Sequence, residues 1–199
     1  MDRYIVALTG ASGAIYGIRL IEELLKHFEV HLIASQPACL VLEQELNWDF
    51  SGECGEVFKA RLPGNLIYYD NKDLAAPPAS GSFRCRGMIV IPCTMATVSA
   101  LACGSSRSLL ERTADVMLKE KRPLIVVPRE TPFSTIHLRN LLTLAESGAH
   151  VIPAMPAFYT NPQSIADMVD FVVGKVLDAM QVEHRLFERY QGIGYNANF

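Results

Sequence analysis

A glycine- and serine-rich turn after the first apolar segment is the part of this chain best suited to bind a phosphate. Residues 4–17 read YIVALTGASGAIYG, an apolar strand followed by a turn and a helix that starts near Ser12. Gly10 and Gly13 have no Cβ, so the turn can adopt positive φ and direct backbone N–H groups at an anion. The helix N-terminus adds unpaired N–H groups and the positive end of the helix dipole. The segment therefore predicts a phosphorylated ligand, with Ser12 either capping the helix or donating its hydroxyl to that ligand.

The spacing of these glycines excludes two common phosphate-binding motifs. Gly10, Gly13 and Gly17 match neither the GxGxxG dinucleotide fingerprint nor a Walker A loop, which needs GxxxxGK followed by Ser or Thr. An ordinary tight turn with Ser12 as an N-cap is the structural alternative.

Other residues that could bind a ligand or transfer a proton also follow apolar segments. The segment PCTMAT at 92–97 places two threonines at a helix start, where they suit an anion, a ring edge or simple helix capping. Arg129 can bind two oxygens of a phosphate through its guanidinium fork. Glu130 can act as an acid if a partly desolvated cleft raises its pKa, although Arg129 and Glu130 could equally be a surface dipeptide.

The elements that must position these residues alternate between strands and helices. Strand-like runs lie at 4–8, 30–34, 66–69, 88–91, 124–127 and 150–152. Alternation of this kind predicts parallel βαβ units. Most of the runs are continuously apolar, as expected when helices cover both faces of a sheet. We predict an α/β fold, namely a doubly wound, Rossmann-like, mostly parallel sheet in a single domain, with ligands outside the carboxyl ends of the strands.

Composition narrows the class of protein further. A chain of 199 residues fits one domain, and 50% hydrophobic residues suggest that other subunits cover some apolar surface. The net charge of −3 without a basic run argues against nucleic acid or a polybasic membrane patch. Five cysteines without CxxC, and no HExxH, support neither a disulfide framework nor a zinc site, and reduced thiols favour the cytoplasm. We expect a soluble, unprocessed protein, because the first residues lack the pattern of a signal peptide and no apolar run reaches about 20 residues.

One stretch differs in texture from the rest. Residues 47–82 interrupt short apolar pieces with Gly, Pro, Asn and Asp, which predicts a long connection with functional content. Within and just beyond it, AAPPASGSF at 75–83 could reach a ligand edge or a neighbouring subunit, or form a solvated loop.

Several segments together carry a family resemblance. They are TGASGAIYG, PCTMAT, LLERTADVMLKEKRPLIVVPRETP at 109–132, PAMPAFYTNPQS at 153–164, and FERYQG near the end. Over nearly the whole chain these segments resemble the UbiX-type flavin prenyltransferases. The related peptidyl-cysteine and phosphopantothenoylcysteine decarboxylases carry a PxMNxxMW substrate motif, which is missing here, its place being taken by the PAFY segment.

The resemblance implies an enzyme that joins a dimethylallyl group, taken from dimethylallyl monophosphate, to N5 and then C6 of reduced FMN. The product, prenylated FMN, is the cofactor of UbiD-type decarboxylases. The resemblance also implies a homo-oligomer, often a dodecamer, with FMN at a subunit interface and a C-terminal tail from about residue 183 packing on a neighbouring subunit or the active site. Metal is not expected, because acidic clusters such as DDxxD are lacking.

The resemblance also assigns roles by matching position. FMN would be held by Gly10, Ala11, Ser12, Ser35, Thr94, Met95, Ala96, Thr97 and Arg129. The allylic phosphate would be surrounded by Lys119, Arg129, Tyr159 and Lys175, with Tyr190 near the prenyl group. The catalytic candidates are Ser12, Glu45, Arg112 and Glu130, with Glu130 leading for proton transfer to the leaving phosphate or from the flavin.

Two positions depart from the family pattern. Tyr190 stands where many relatives have Trp, and Ala96 replaces a Lys common in the PCSMKT version of its segment. The first change could weaken shielding of an allylic cation, and the second removes a charge near the flavin. Two other functions remain open from the sequence: an FMN-dependent aromatic acid decarboxylase, and a non-catalytic subunit that delivers flavin to one.

Overall fold

A six-stranded parallel sheet forms the centre of the protein, in a computed structural model that describes residues 2–189. The strands are β1 (Arg3–Leu8), β2 (Glu29–Ala34), β3 (Leu66–Asp70), β4 (Met88–Cys93), β5 (Leu124–Pro128) and β6 (His150–Val151). Their order across the sheet is β3-β2-β1-β4-β5-β6, and every neighbouring pair is parallel. The predicted parallel α/β sheet is confirmed. Strand β3, predicted at 66–69, is one of its two outer strands.

Seven α-helices connect these strands within the described residues. They are α1 (Ala14–Leu25), α2 (Gln36–Leu46), α3 (Cys54–Arg61), α4 (Met95–Ala102), α5 (Leu109–Lys119), α6 (Thr135–Glu146) and α7 (Ile165–Ala179), with a short 3₁₀ helix at Pro77–Ala79. None of them, within residues 2–189, combines the length and apolar character that a membrane span requires.

Helices cover both faces of the sheet, as the apolar strands predict. Alternate residues of β1 point to opposite faces, so Val6 and Leu8 pack in a core with α1 and α7. Ile5 and Ala7 pack in a second core with α4 and α5. The four central strands are therefore buried on both sides, which is the doubly wound arrangement.

The stretch 47–82 contains more regular structure than its texture indicates. It holds α3 and the 3₁₀ helix in addition to the expected strand β3. The pattern of α3 is weak because Phe58 is the only one of its eight residues that is buried. Helical periodicity cannot identify an element with so small an apolar face.

The strand order reverses between β1 and β4, which defines the crevice where open α/β sheets bind ligands. Helices α1, α2 and α4 begin within a few residues of the ends of β1, β2 and β4. Their N-termini consequently converge on one edge of the sheet, called the carboxyl edge below.

Replacing Gly17 by alanine is expected to destabilise the fold, because α1 crosses β4 closely at this residue. A Cβ on Gly17 would overlap the side chain of Leu8 and lie 2.6 Å from the carbonyl oxygen of Ile91. Overpacking of this kind costs about 1–3 kcal/mol, which urea unfolding would measure. Gly52→Ala is the control, since nothing lies within 4 Å of its added Cβ. An equal effect of the two substitutions would contradict the close crossing.

Candidate active site at the carboxyl edge of the sheet

The glycine-rich turn binds an anion, but the anion belongs to the chain itself. Helix α1 begins at Ala14, with Gly13 as its N-cap at φ +94° and no side-chain cap. Oε2 of Glu45, on α2, accepts hydrogen bonds from the N–H groups of Gly13 and Ala14, each at 2.9 Å. Of the two alternatives for Ser12, capping of the helix is wrong, because Gly13 is the N-cap and the helix begins at Ala14. Ser12 is exposed instead, and donation of its hydroxyl to a ligand stays a prediction.

The same turn packs against the start of α2. A Cβ on Gly10 would overlap the side chain of Pro37, so this close approach requires glycine. Ser35 caps α2 by accepting the N–H of Ala38 at 3.3 Å. Ala11, between the turn glycines, is buried. The turn and the N-terminus of α2 are thus in direct contact at the carboxyl edge.

The segment PCTMAT forms the start of α4. Thr94 is its N-cap and accepts the N–H of Thr97 at 3.1 Å, while the two hydroxyl oxygens are 2.9 Å apart. The capping interpretation is therefore confirmed for Thr94, and binding of a ligand by this segment stays a prediction. Met95 is buried in the core, so only its backbone can face a ligand, whereas Ala96 is exposed.

Arg129 joins the end of β5 to the glycine-rich turn. Its Nε donates to the carbonyl oxygen of Ser12 at 3.1 Å, and its backbone N–H donates to the carbonyl of Cys93 at 3.2 Å. Among residues 2–189 its two terminal nitrogens have no hydrogen-bond partner, so they are available to an anion. Glu130 follows directly, with Oε1 accepting the N–H of Thr131 at 3.0 Å. The structure thus brings Arg129 and Glu130 to the edge that carries Ser12 and Glu45.

Within a single chain, Lys119 does not lie at the carboxyl edge. Lys119 ends α5, before β5 begins, and its Nζ lies 3.2 Å from Glu120. Arg129 follows the opposite end of β5, whose five residues span about 17 Å at 3.3 Å each. Lys119 and Arg129 of the same chain therefore lie at opposite edges of the sheet.

Lys175 also lies apart from the cluster at the carboxyl edge, whereas Arg112 lies in the first turn of α5, whose Leu109 N–H donates to the carbonyl of Asn71 just beyond β3. Lys175 is in the last half of α7, half exposed, with its Nζ 3.9 Å from Asp178. Arg189 donates to both oxygens of Asp178, and this pairing lowers the pKa of that carboxyl. Arg112 donates from Nε to the carbonyl of Ala79 at 3.1 Å and forms an ion pair with Asp115, three residues further along α5.

Of the two tyrosines predicted for the site, Tyr159 lies within the described residues. Tyr159 lies on the exposed loop after β6, with its ring edge-on to Phe171 of α7 at 5.7 Å. Tyr190 lies outside the described residues. The described part of the predicted tail, 183–189, packs on α7 of its own chain through Phe187, whose ring is 5.2 Å from that of Phe171.

A cavity of about 1010 Å³ lies where the strands begin, at the opposite end from the carboxyl-edge cluster. None of the predicted site residues that the structure describes lines it. Its lining mixes charges of both signs, including Glu23, Lys26, Arg86 and Arg189. Ligands of open α/β sheets bind at the carboxyl ends of the strands, so the carboxyl edge remains the candidate site. Within residues 2–189 no group of three His, Cys, Asp or Glu side chains is placed to hold a metal ion.

Sequence reasoning missed Thr9, which precedes the turn. Its hydroxyl contacts the start of the PCTMAT segment, on the next strand of the sheet. The only sequence signal is its position between a buried strand and a glycine turn, which does not reveal a partner 83 residues away.

Known proteins similar to this chain bind flavin. A family model described as Flavoprotein matches residues 1–177. The flavin prenyltransferase UbiX of Alkalihalophilus pseudofirmus is 51% identical over 189 residues, covering 93% of this chain and 94% of that protein. The crystal structure of AnUbiX (PadA1) in complex with FMN and dimethylallyl pyrophosphate superposes with a TM-score of 0.87 at 42% identity, covering 96% of this chain and 98% of the other. A dodecameric FMN-dependent UbiX-like decarboxylase from Escherichia coli O157:H7 superposes with a TM-score of 0.86 at 41% identity, covering 96% and 100%.

Proposed function

This chain belongs to the UbiX family of flavin prenyltransferases within the flavoproteins, and we propose that it transfers a dimethylallyl group from dimethylallyl monophosphate to N5 and then C6 of reduced FMN. The observation that carries this proposal is the convergence of Ser12, Glu45, Arg129 and Glu130 on the carboxyl edge. That edge combines a cation with open donor positions, an exposed hydroxyl and two carboxylates. Phosphate binding and proton transfer need these groups side by side.

The donor set at this edge fits FMN. The phosphate would be held by the N-termini of α2 and α4, since the first N–H groups of α1 already bond Glu45. The terminal nitrogens of Arg129 would add two parallel hydrogen bonds. The flavin-facing set would be Gly10, Ala11, Ser12, Ser35, Thr94, Met95, Ala96, Thr97 and Arg129. FMN supplies the nucleophilic ring that accepts the prenyl group.

Cations would hold the departing phosphate of the prenyl donor. An allylic carbon–oxygen bond ionises more readily when fixed Lys and Arg donors stabilise the leaving anion in a site of low dielectric constant. We assign this role to the cations Lys119, Arg129 and Lys175 and to the hydroxyl of Tyr159, with Tyr190 beside the prenyl group. Because Lys119 and Lys175 lie away from Arg129 in one chain, the proposal requires neighbouring copies to contribute them.

Proton transfer would fall to the carboxylates of the edge. We assign Glu130 to proton transfer between the flavin and the leaving phosphate, with Ser12, Glu45 and Arg112 completing the catalytic set. Glu45 would additionally hold the turn in shape, since its carboxylate bonds the first N–H groups of α1.

A large homo-oligomer would complete the site. Apolar side chains are exposed on α6, at Ile136, Leu138 and Leu142, and on the loop after β6, at Met155 and Phe158. Exposed apolar patches of this kind mark protein interfaces, and a similar protein is dodecameric. We propose that residues 1–199 form one FMN-binding domain of a dodecamer, which sedimentation velocity would test, and that the product serves a UbiD-type decarboxylase.

The proposed reaction has a direct test. Purified protein incubated with reduced FMN and dimethylallyl monophosphate should yield a heavier flavin by mass spectrometry. Folded protein that binds FMN and forms no such product would contradict the proposal. One similar structure is described as a decarboxylase, so release of carbon dioxide from an aromatic acid by this protein alone would favour that second function.

Replacing Lys175 by alanine is expected to weaken binding of the prenyl donor and to spare FMN. Loss of a charged hydrogen bond costs about 1–3 kcal/mol, which would appear as a higher KM for dimethylallyl monophosphate. Lys59→Ala is the control, since Lys59 is an exposed lysine on α3 paired with Glu56. Equal weakening of both ligands by Lys175→Ala would contradict the assignment.

A further inference from the structure

Thr9 makes two hydrogen bonds across the crevice between β1 and β4. The side chain is buried, with 3% of its surface exposed. Its hydroxyl donates to the carbonyl oxygen of Pro92 at 2.7 Å and accepts the backbone N–H of Thr94 at 2.9 Å. One hydroxyl therefore acts as donor and acceptor towards the same neighbouring segment.

These bonds replace backbone pairing that ends here. The β1–β4 ladder runs through Ile5↔Met88, Val6↔Ile89 and Ala7↔Val90 and goes no further. Pro92 has no N–H to continue it. On its other side, β4 also changes register against β5 between Val90 and Cys93. Beyond the ladder, the side chain of Thr9 holds the two strand ends together.

Both strand ends lead directly into the candidate site. Thr9 precedes Gly10 of the turn, and its partner Thr94 is the N-cap of α4. The two bonds thus fix the spacing between the turn and the first residues of α4. These two segments lie on either side of the crevice where the strand order reverses.

We propose that Thr9 is a positioning residue that sets the width of the FMN crevice through its two hydroxyl hydrogen bonds. The inference rests on the proposed function, since it takes FMN as the ligand of this crevice. Thr9 would act on FMN indirectly, through the glycine-rich turn and the start of α4, which it joins. Its removal should lower FMN affinity more than its effect on stability alone would explain.

Thr9→Val tests the proposal, because valine keeps the shape and makes neither hydrogen bond. The dissociation constant of FMN, measured by flavin fluorescence well below the unfolding temperature, should rise at least about tenfold. Thr9→Ser keeps the hydroxyl and should stay within about threefold of the wild type. Thr113→Val is the matched control, since Thr113 is a buried threonine whose hydroxyl has no partner among residues 2–189; its FMN affinity should not change.

The outcomes separate positioning from simple stabilisation. A lower unfolding temperature of Thr9→Val with unchanged FMN affinity would overturn the inference, and so would a tenfold loss in Thr9→Ser. If Thr9→Val does not fold, Thr9→Ser and Thr9→Cys are compared instead. The Thr9→Cys variant should bind FMN less tightly, because a thiol is a weaker hydrogen-bonding group than a hydroxyl. Equal FMN affinities of these two variants would overturn the inference. Wild-type protein that does not bind FMN would overturn the proposed function and this inference together.

Discussion

Replacing Glu130 by glutamine is expected to lower kcat for flavin prenylation by about 10²- to 10⁴-fold, the range of positioned acid–base catalysis. Glutamine keeps the size of the side chain and can still accept the N–H of Thr131, which holds Glu130 at 3.0 Å. It cannot take up or release a proton at neutral pH. The loop geometry should therefore survive while proton transfer is lost.

Single-turnover kinetics with preloaded FMN would measure this effect apart from product release. FMN affinity should change little, because Glu130 is assigned to the proton and not to the phosphate. Glu56→Gln on the exposed face of α3 provides the control for charge removal, and it should retain full turnover. Undiminished turnover by Glu130→Gln, in a sample that binds FMN, would remove Glu130 from the catalytic set.

The fold could be predicted from sequence because its signals are local. Continuous apolar runs separated by helical segments specify parallel strands covered on both faces, and β1, β2, β4 and β5 are buried as expected. The start of α7 is likewise marked by a local signal, since the side chain of Ser164 accepts the N–H of Asp167 three residues later. Helix α3 was missed because it buries only Phe58.

The candidate site was predictable as a place but not as a set of contacts. The rule for open sheets places Ser12 and Arg129 at one edge, and the two residues are in fact hydrogen-bonded there. The carboxylate of Glu45 on the N-terminus of α1 joins residues 31 positions apart, a tertiary contact that no local pattern encodes. Nor can a sequence motif show that Lys119 and Arg129 of one chain lie at opposite ends of β5.

Replacing Arg129 by lysine is expected to weaken both ligands, in contrast to Lys175→Ala. Lysine keeps the charge but has no Nε–H to donate to the carbonyl of Ser12 and no fork for two phosphate oxygens. Hydrogen bonds to charged groups are worth about 1.5–3 kcal/mol, so FMN should bind about 10- to 150-fold less tightly. Fluorescence titration with FMN and the KM for dimethylallyl monophosphate would measure the two losses separately.

Arg61→Lys is the matched control, since Arg61 ends α3 and stacks over Trp48 at 5.8 Å, away from the carboxyl edge. It should leave both ligand affinities unchanged. If Arg129→Lys binds FMN as tightly as the wild type, the guanidinium does not hold the flavin phosphate. If it weakens FMN alone, the prenyl phosphate is held without Arg129, and Lys119 and Lys175 of neighbouring copies must carry that anion. Only loss of both ligands agrees with a single Arg129 shared between the two phosphates, at the point where the turn, α4 and β5 meet.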